Sequence, residues 1–213
     1  MKRIYLFALA SLALVASPVA ATVEGKDIRD LIIGSKVSDF PQEGYVELFC
    51  TAAPKQQLDN WEGYSTCPAN AAGQHEVSFQ FDKSADALSQ ANDRSQGTKI
   101  GGHPVLISIL VSAKQTLDGI NIETDPNVRL FLKKKAFLMG LQIRERYGVD
   151  GWACVDKPQA EGEEAVGGEF INEHCTKTTS TRRYVYDRVL LQRKGKALKD
   201  FVSTTRLEIS AAP

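Results

Sequence analysis

Four cysteines, Cys50, Cys67, Cys154 and Cys175, follow an N-terminal segment patterned as a secretory signal peptide. Lys2 and Arg3 give it a charged start, Leu6 through Val15 an apolar core, and Val19-Ala20-Ala21 small residues where a peptidase cuts, so residues 1–21 are expected to be removed after Ala21. A bilayer-spanning helix needs about 20 apolar residues; this core is shorter and runs into the polar stretch Thr22-Val23-Glu24-Gly25-Lys26-Asp27. A retained anchor is therefore disfavoured, and no transmembrane segment is expected once the leader is gone. No cysteine adjoins the cut, which argues against a lipid anchor. An exported chain, periplasmic or secreted, holds its cysteines in an oxidising compartment, where they pair.

Four cysteines admit three pairings. Cys50 with Cys67 and Cys154 with Cys175 is the most economical, because each pair closes a short, turn-rich loop and leaves the long apolar middle of the chain between them. A loop of this size contributes on the order of 3 kcal/mol in the chain-entropy description. A metal held by all four is the competing arrangement, but the close C-x-x-C pairs of structural zinc are missing. The expectation is two disulfides, no metal and no cofactor.

Residues 22–213 remain after cleavage, enough for a real hydrophobic core in a single domain, with a sub-boundary expected near residues 156–168. The leader removes two basic residues and no acidic one, leaving 24 Lys and Arg against 26 Asp and Glu, a net charge near −2. Such a balance gives no global attraction to nucleic acid or to an anionic membrane.

Alternation of apolar and polar residues marks the strands. Val77, Phe79 and Phe81 alternate with Glu76, Ser78, Gln80 and Asp82 over residues 75–82, the pattern of a half-buried strand. Residues 45–50 read as an earlier strand, 54–73 as a loop punctuated by Pro and Gly, and 104–111 with 117–124 as a hairpin. Residues 27–33 suit a helical turn or a first strand, and 83–97 a polar connection. Asp125-Pro126 supplies an N-cap and a first-turn proline and Gly148 a stop, which predicts one long amphipathic helix between them, with Val128, Phe131, Leu132, Ala136, Met139 and Ile143 on its apolar face. Lys133-Lys134-Lys135 interrupts it as a solvated stripe, or as a contact for an anion or lipid headgroup. Strands return at 169–175, 182–192 and 198–209, with Gly195 in the last turn. Strands, one helix, then strands indicate an α+β fold: antiparallel sheet packed against one long amphipathic helix, with two disulfides.

Searches for catalytic motifs find little. There is no G-x-S-x-G, no S-x-x-K and no H-E-x-x-H. His103, between Gly101-Gly102 and Pro104, is the best catalytic or ligand candidate, against which stands an ordinary structural histidine. His75 is expected exposed. His174 and Cys175 are strand neighbours on opposite faces and cannot pair as base and nucleophile. Gly101-Gly102 and Gly167-Gly168 read as tight turns before anion sites. Asp82, Asp86, Asn92 and Asp93 offer oxygen ligands, but not in an EF-hand spacing.

Charge is uneven late in the chain: residues 150–173 are acidic and 182–199 basic. If strands 169–175 and 182–192 pair, opposite charges meet across the ladder. A basic strand surface carrying Arg183, with Tyr184, Tyr186 and Arg188 alternating on one face, suits binding, since Tyr and Arg are common in interface hot spots; the same stripe equally suits a partly covered sheet face.

Ile33-Gly34-Ser35-Lys36-Val37 and Arg146-Tyr147-Gly148 are similar to segments of small exported bacterial domains that pack helices on an antiparallel sheet, among them the outer-membrane assembly lipoproteins and the β-lactamase-inhibitor proteins. The resemblance implies that fold class and carries over no functional residue; the missing lipobox cysteine departs from the lipoprotein members. The leading expectation is an exported, non-catalytic binding or envelope-accessory protein whose partner is an envelope protein or an anionic envelope polymer. The alternatives are a periplasmic hydrolase with a site near His103, and a protease or β-lactamase inhibitor presenting loop 54–73 with Trp61 and Tyr64 as anchors.

Overall fold

The computed structural model describes residues 26–84 and 98–213. The expected signal peptide and residues 85–97 of the polar connection lie outside the described residues. Among those described, ten strands form one antiparallel sheet. They are β1 (Tyr45–Cys50), β2 (His75–Phe81), β3 (Lys99–Ile100), β4 (His103–Val111), β5 (Leu117–Thr124), β6 (Ala153–Asp156), β7 (Glu163–Glu164), β8 (Ile171–Thr178), β9 (Arg182–Arg193) and β10 (Val202–Ala211). The order across the sheet is β1-β2-β4-β5-β10-β9-β8-β6, with β3 paired to β4 and β7 to β9. Two meanders, one from each half of the chain, thus meet where β5 pairs with β10. Each ends in an edge strand bearing one disulfide, Cys50–Cys67 on β1 and Cys154–Cys175 on β6.

Register explains why one face is apolar. Phe79, Ile107, Ile122, Leu207, Tyr186, Cys175 and Cys154 stand opposite one another in sequence across seven strands. A second row runs Val77, Ile109, Ile120, Ile209 and Tyr184. Because side chains alternate along a strand, these point the same way, and all but Cys154 on the exposed edge strand form the core. The opposite face carries Ser78, Ser108, Asn121 and Glu208 in register, with Glu76 accepting from Ser108 and Asn121. Trp61, only 2% exposed, closes the β1 end of the core, edge-on to Phe40, Tyr45 and Phe79, with its indole N–H donated to the Pro41 carbonyl at 2.9 Å.

The one long helix is not formed. The segment divides into α1 (Leu130–Lys134), a 3-10 turn at Ala136–Leu138, and the nine-residue α2 (Met139–Tyr147). Asp125 is not an N-cap: its N–H is held by the Pro104 carbonyl at the start of β4, and its carboxylate accepts from Asn127 N–H in a local turn. The break before α2 has a tertiary cause. The buried Thr205 hydroxyl, on β10, donates to the Ala136 carbonyl at 2.9 Å, while Met139 N–H takes the same carbonyl in a 3-10 bond. The apolar face is correspondingly narrower than its pattern: Ala136, Met139 and Ile143 are buried, but Phe131 is 67% exposed. The fold is therefore mostly antiparallel sheet with few helices and two disulfides.

Other boundaries differ in smaller ways. Residues 27–33 form turns around an isolated Ile28–Leu31 bridge, not a helix turn or a sheet strand. The strand expected from 198 begins at Val202, after a 3-10 turn at Leu198–Asp200. Edge strand β6, all of whose residues are exposed, carries too little apolar pattern to be read from sequence.

Candidate binding site

A cavity lies where α2 and the N-terminal turns cover the apolar sheet face. Its volume is about 220 Å³. Phe81, Ile122 and Leu207 rise from the sheet, Met139 and Ile143 descend from α2, and Ile28 and Ile100 complete the apolar wall. Arg29, Lys99, Arg146, Gln142 and Tyr147 supply the polar groups, and no carboxylate lines the cavity among the described residues. The volume is below the roughly 300–1,000 Å³ of drug-sized pockets, which limits an occupant to one short apolar group.

Two of its cations, Arg29 and Arg146, are held by neutral groups. Arg29 lies 3.7 Å over the Phe81 ring and donates to the Gly44 carbonyl at 3.3 Å. Arg146 donates to the carbonyls of Lys26 and Asp27 at 3.4 and 3.3 Å. Neither guanidinium forms an ion pair among the described residues. Tyr147 donates its hydroxyl to the Asp27 carbonyl at 2.9 Å, and burial pushes its pKa above the ordinary value, so it stays a neutral donor. The N-terminal turns that bring Ile28 and Arg29 to the cavity are fixed by Asp27, whose buried carboxylate receives Arg182 Nε at 2.7 Å and Nη2 at 3.0 Å. At the far end of α2, Lys177 donates to the last carbonyls, Tyr147 and Gly148.

A second feature lies across α2. Glu173 is buried between Arg144 and Arg188 and accepts from the Tyr186 hydroxyl at 3.2 Å. Arg144 reaches the disulfide too, 3.0 Å from Cys154 Sγ. Gly140 makes room for this group: a Cβ there would stand 2.9 Å from Arg188 Cδ. The ladder places Glu173 opposite Arg188 and His174 opposite Asp187, the cross-strand charge pairing anticipated for the acidic and basic blocks.

The residues singled out from sequence do not assemble into one site. Tyr184 and Tyr186 are 7% and 1% exposed, in the core rows beneath Tyr147 and Trp152, so they cannot form a binding surface. Arg188 points the same way, into the Glu173 cluster, whereas Arg183 is exposed on the opposite face. The proposed four-residue surface is thus divided by strand alternation. Trp61 and Tyr64 are also core residues, which removes them as exposed loop anchors. His75 is half-buried, its Nδ1 2.6 Å from the Cys67 carbonyl, and is not the exposed residue expected. The two glycine pairs adopt positive φ throughout and form tight turns, the first leading into β4. Asp82 accepts from the Ser84 N–H and hydroxyl, bonds that lower its pKa, while Asp86, Asn92 and Asp93 lie outside the described residues.

His103 opens β4 beside Thr124, Asp125, Val128 and Leu132 in a shallow depression. Among the described residues no hydroxyl or carboxylate is within hydrogen-bond reach of its ring. Burial, and then the charge of Lys135, lower its pKa below the ordinary 6.5. The folded state therefore binds this proton less readily than the unfolded chain. The stability associated with a neutral His103 is intact above the unfolded value and declines as pH falls through it toward the folded value. Urea midpoints measured from about pH 7 to about pH 5 should fall less steeply for His103→Gln than for the wild type; parallel curves would show that His103 is not the group responsible.

Sequence reasoning missed Arg29 and Lys99 and met Arg146 only within a resemblance. They are isolated basic residues in three separate segments, and only the fold brings them together. Comparisons of the chain with protein-family models, with curated proteins and with solved structures find no match.

Proposed function

We propose that this chain is an exported, non-catalytic binding protein of the bacterial envelope, periplasmic or secreted, whose ligand is a small anion bearing a short apolar group. The observation that carries the reading is the cavity under α2: apolar walls, the guanidiniums of Arg29 and Arg146, and no lining carboxylate among the described residues. An anionic head would exchange the carbonyl contacts of Arg29 and Arg146 for charge-assisted bonds, and the short tail would enter between Met139, Ile143 and Leu207. Two disulfides, and the lack among the described residues of a helix long and apolar enough to cross a membrane, are compatible with that location. A hydrolase centred on His103 loses its main support, since no partner group is within reach of the ring among the described residues.

Titration calorimetry with octanoate, octanol, acetate and octyltrimethylammonium tests the reading. Octanoate should bind most tightly, and Arg146→Glu or Arg29→Glu should weaken it at least about tenfold, the equivalent of one hydrogen bond to a charged group. Equal binding of octanol would remove the cations from recognition, equal binding of acetate would remove the apolar walls, and preference for octyltrimethylammonium would overturn the proposal.

A further inference from the structure

We infer that the corner formed by α1 docks on an anionic lipid bilayer. Two observations converge there. Leu130 and Phe131 project into solvent, 52% and 67% exposed, although both are large and apolar. Arg129, Lys133, Lys134 and Lys135 flank them, and no acidic residue occurs from 126 to 144. Lys135 Nζ lies 4.2 Å over the Phe131 ring, and Lys133 Nζ 5.3 Å over Phe201. The latter contact places α1 against the connection that carries Lys194, Lys196 and Lys199, all exposed, together with the single acid Asp200.

Charge complementarity selects the partner. The chain as a whole has no net charge, so any attraction to anionic headgroups is local to this corner. Basic side chains with long apolar stems suit the headgroup layer, where the ammonium stays in water while the stem and a neighbouring aromatic ring enter the boundary. An acidic protein surface would satisfy the lysines but leave Phe131 and Leu130 without an apolar phase. The inference does not rest on the ligand of the α2 cavity, since Phe131 and the lysines do not line it.

Co-sedimentation with vesicles tests it, using pure phosphatidylcholine and an equimolar mixture of phosphatidylcholine and phosphatidylglycerol. The protein should partition onto the anionic vesicles, should stay free with pure phosphatidylcholine, and should be released by added salt. Lys134→Glu combined with Lys135→Glu should weaken partitioning at least about 25-fold, from about fivefold for each basic charge lost. Phe131→Ser should weaken it about tenfold. All three positions are exposed, so these variants should keep the wild-type unfolding midpoint, which is checked in parallel. Equal partitioning onto both vesicles overturns the inference, as does wild-type partitioning of the lysine variant. A loss with the lysine variant but none with Phe131→Ser also overturns it, in favour of a purely ionic surface for an acidic polymer.

Discussion

Asp27→Ala is expected to cost about 3 kcal/mol of folding stability, because it breaks the buried ion pair with Arg182. The pair is well enclosed: the Asp27 side chain is 3% exposed and that of Arg182 11%. Asp27 Oδ2 also accepts the Ile33 N–H at 2.7 Å, and Arg182 Nη2 donates to the Ile33 carbonyl at 3.3 Å. One carboxylate therefore ties the N-terminal turns to the start of β9. Asp27→Asn keeps an acceptor for Ile33 and should cost less than alanine, though more than a surface change. Denaturant unfolding measures both, and a loss below about 1 kcal/mol for Asp27→Ala would show that other groups or water compensate Arg182. The variant carries a second readout. The Asp27 carboxylate is one of the anchors that hold Ile28 and Arg29 at the cavity, so octanoate affinity should fall even in conditions where the protein remains folded.

The strands were legible because one rule, alternation, governs them. Residues 45–50 and 117–124 coincide with β1 and β5, and Val77, Phe79 and Phe81 all point into the core. The disulfides were legible for a similar reason, since short loops and an oxidising compartment sufficed to choose the pairs now found on the two edge strands. The helix was not. Apolar residues at helical spacing show that a segment can be amphipathic, but not where a sheet hydroxyl such as Thr205 intercepts its carbonyls. Leu130, Phe131 and Leu141 fit the pattern and are exposed nonetheless. The Tyr184 and Tyr186 stripe illustrates the complementary difficulty. Its period indicates a common face, yet whether that face is bare or covered depends on rows contributed by β5 and β10 and on α2 above them. The cavity was the least legible feature, because its cations come from segments with no local signature and meet only after folding.

Glu173→Ala is expected to destabilise the protein by about 3 kcal/mol, the lower end of the range for breaking a buried ionic group. The lower end applies because Arg144 is about one-third exposed and can turn to water, whereas Arg188, at 20%, has less freedom. Arg188 Nε lies 3.0 Å from the Glu173 carboxylate but is not aligned for a hydrogen bond with any group among the described residues, so the carboxylate's charge is its main compensation. Its stem is confined by Gly140 of α2, whose Cα leaves no space for a Cβ beside Arg188 Cδ. If the uncompensated Arg188 is the source of the loss, removing its charge should restore stability. Arg188→Met in the Glu173→Ala background is then expected to recover at least about 1 kcal/mol, since apolar replacements for buried ion groups are often neutral or stabilising. Measured as a double-mutant cycle by denaturant unfolding, a second loss on adding Arg188→Met would place the cost instead in the hydrogen bond from Tyr186 and in the packing of the Glu173 side chain. The expected recovery follows from geometry: Gly140 of α2 packs on the Arg188 stem, where a Cβ would stand 2.9 Å from Cδ, and this contact limits how far Arg188 can turn toward water once its partner is gone.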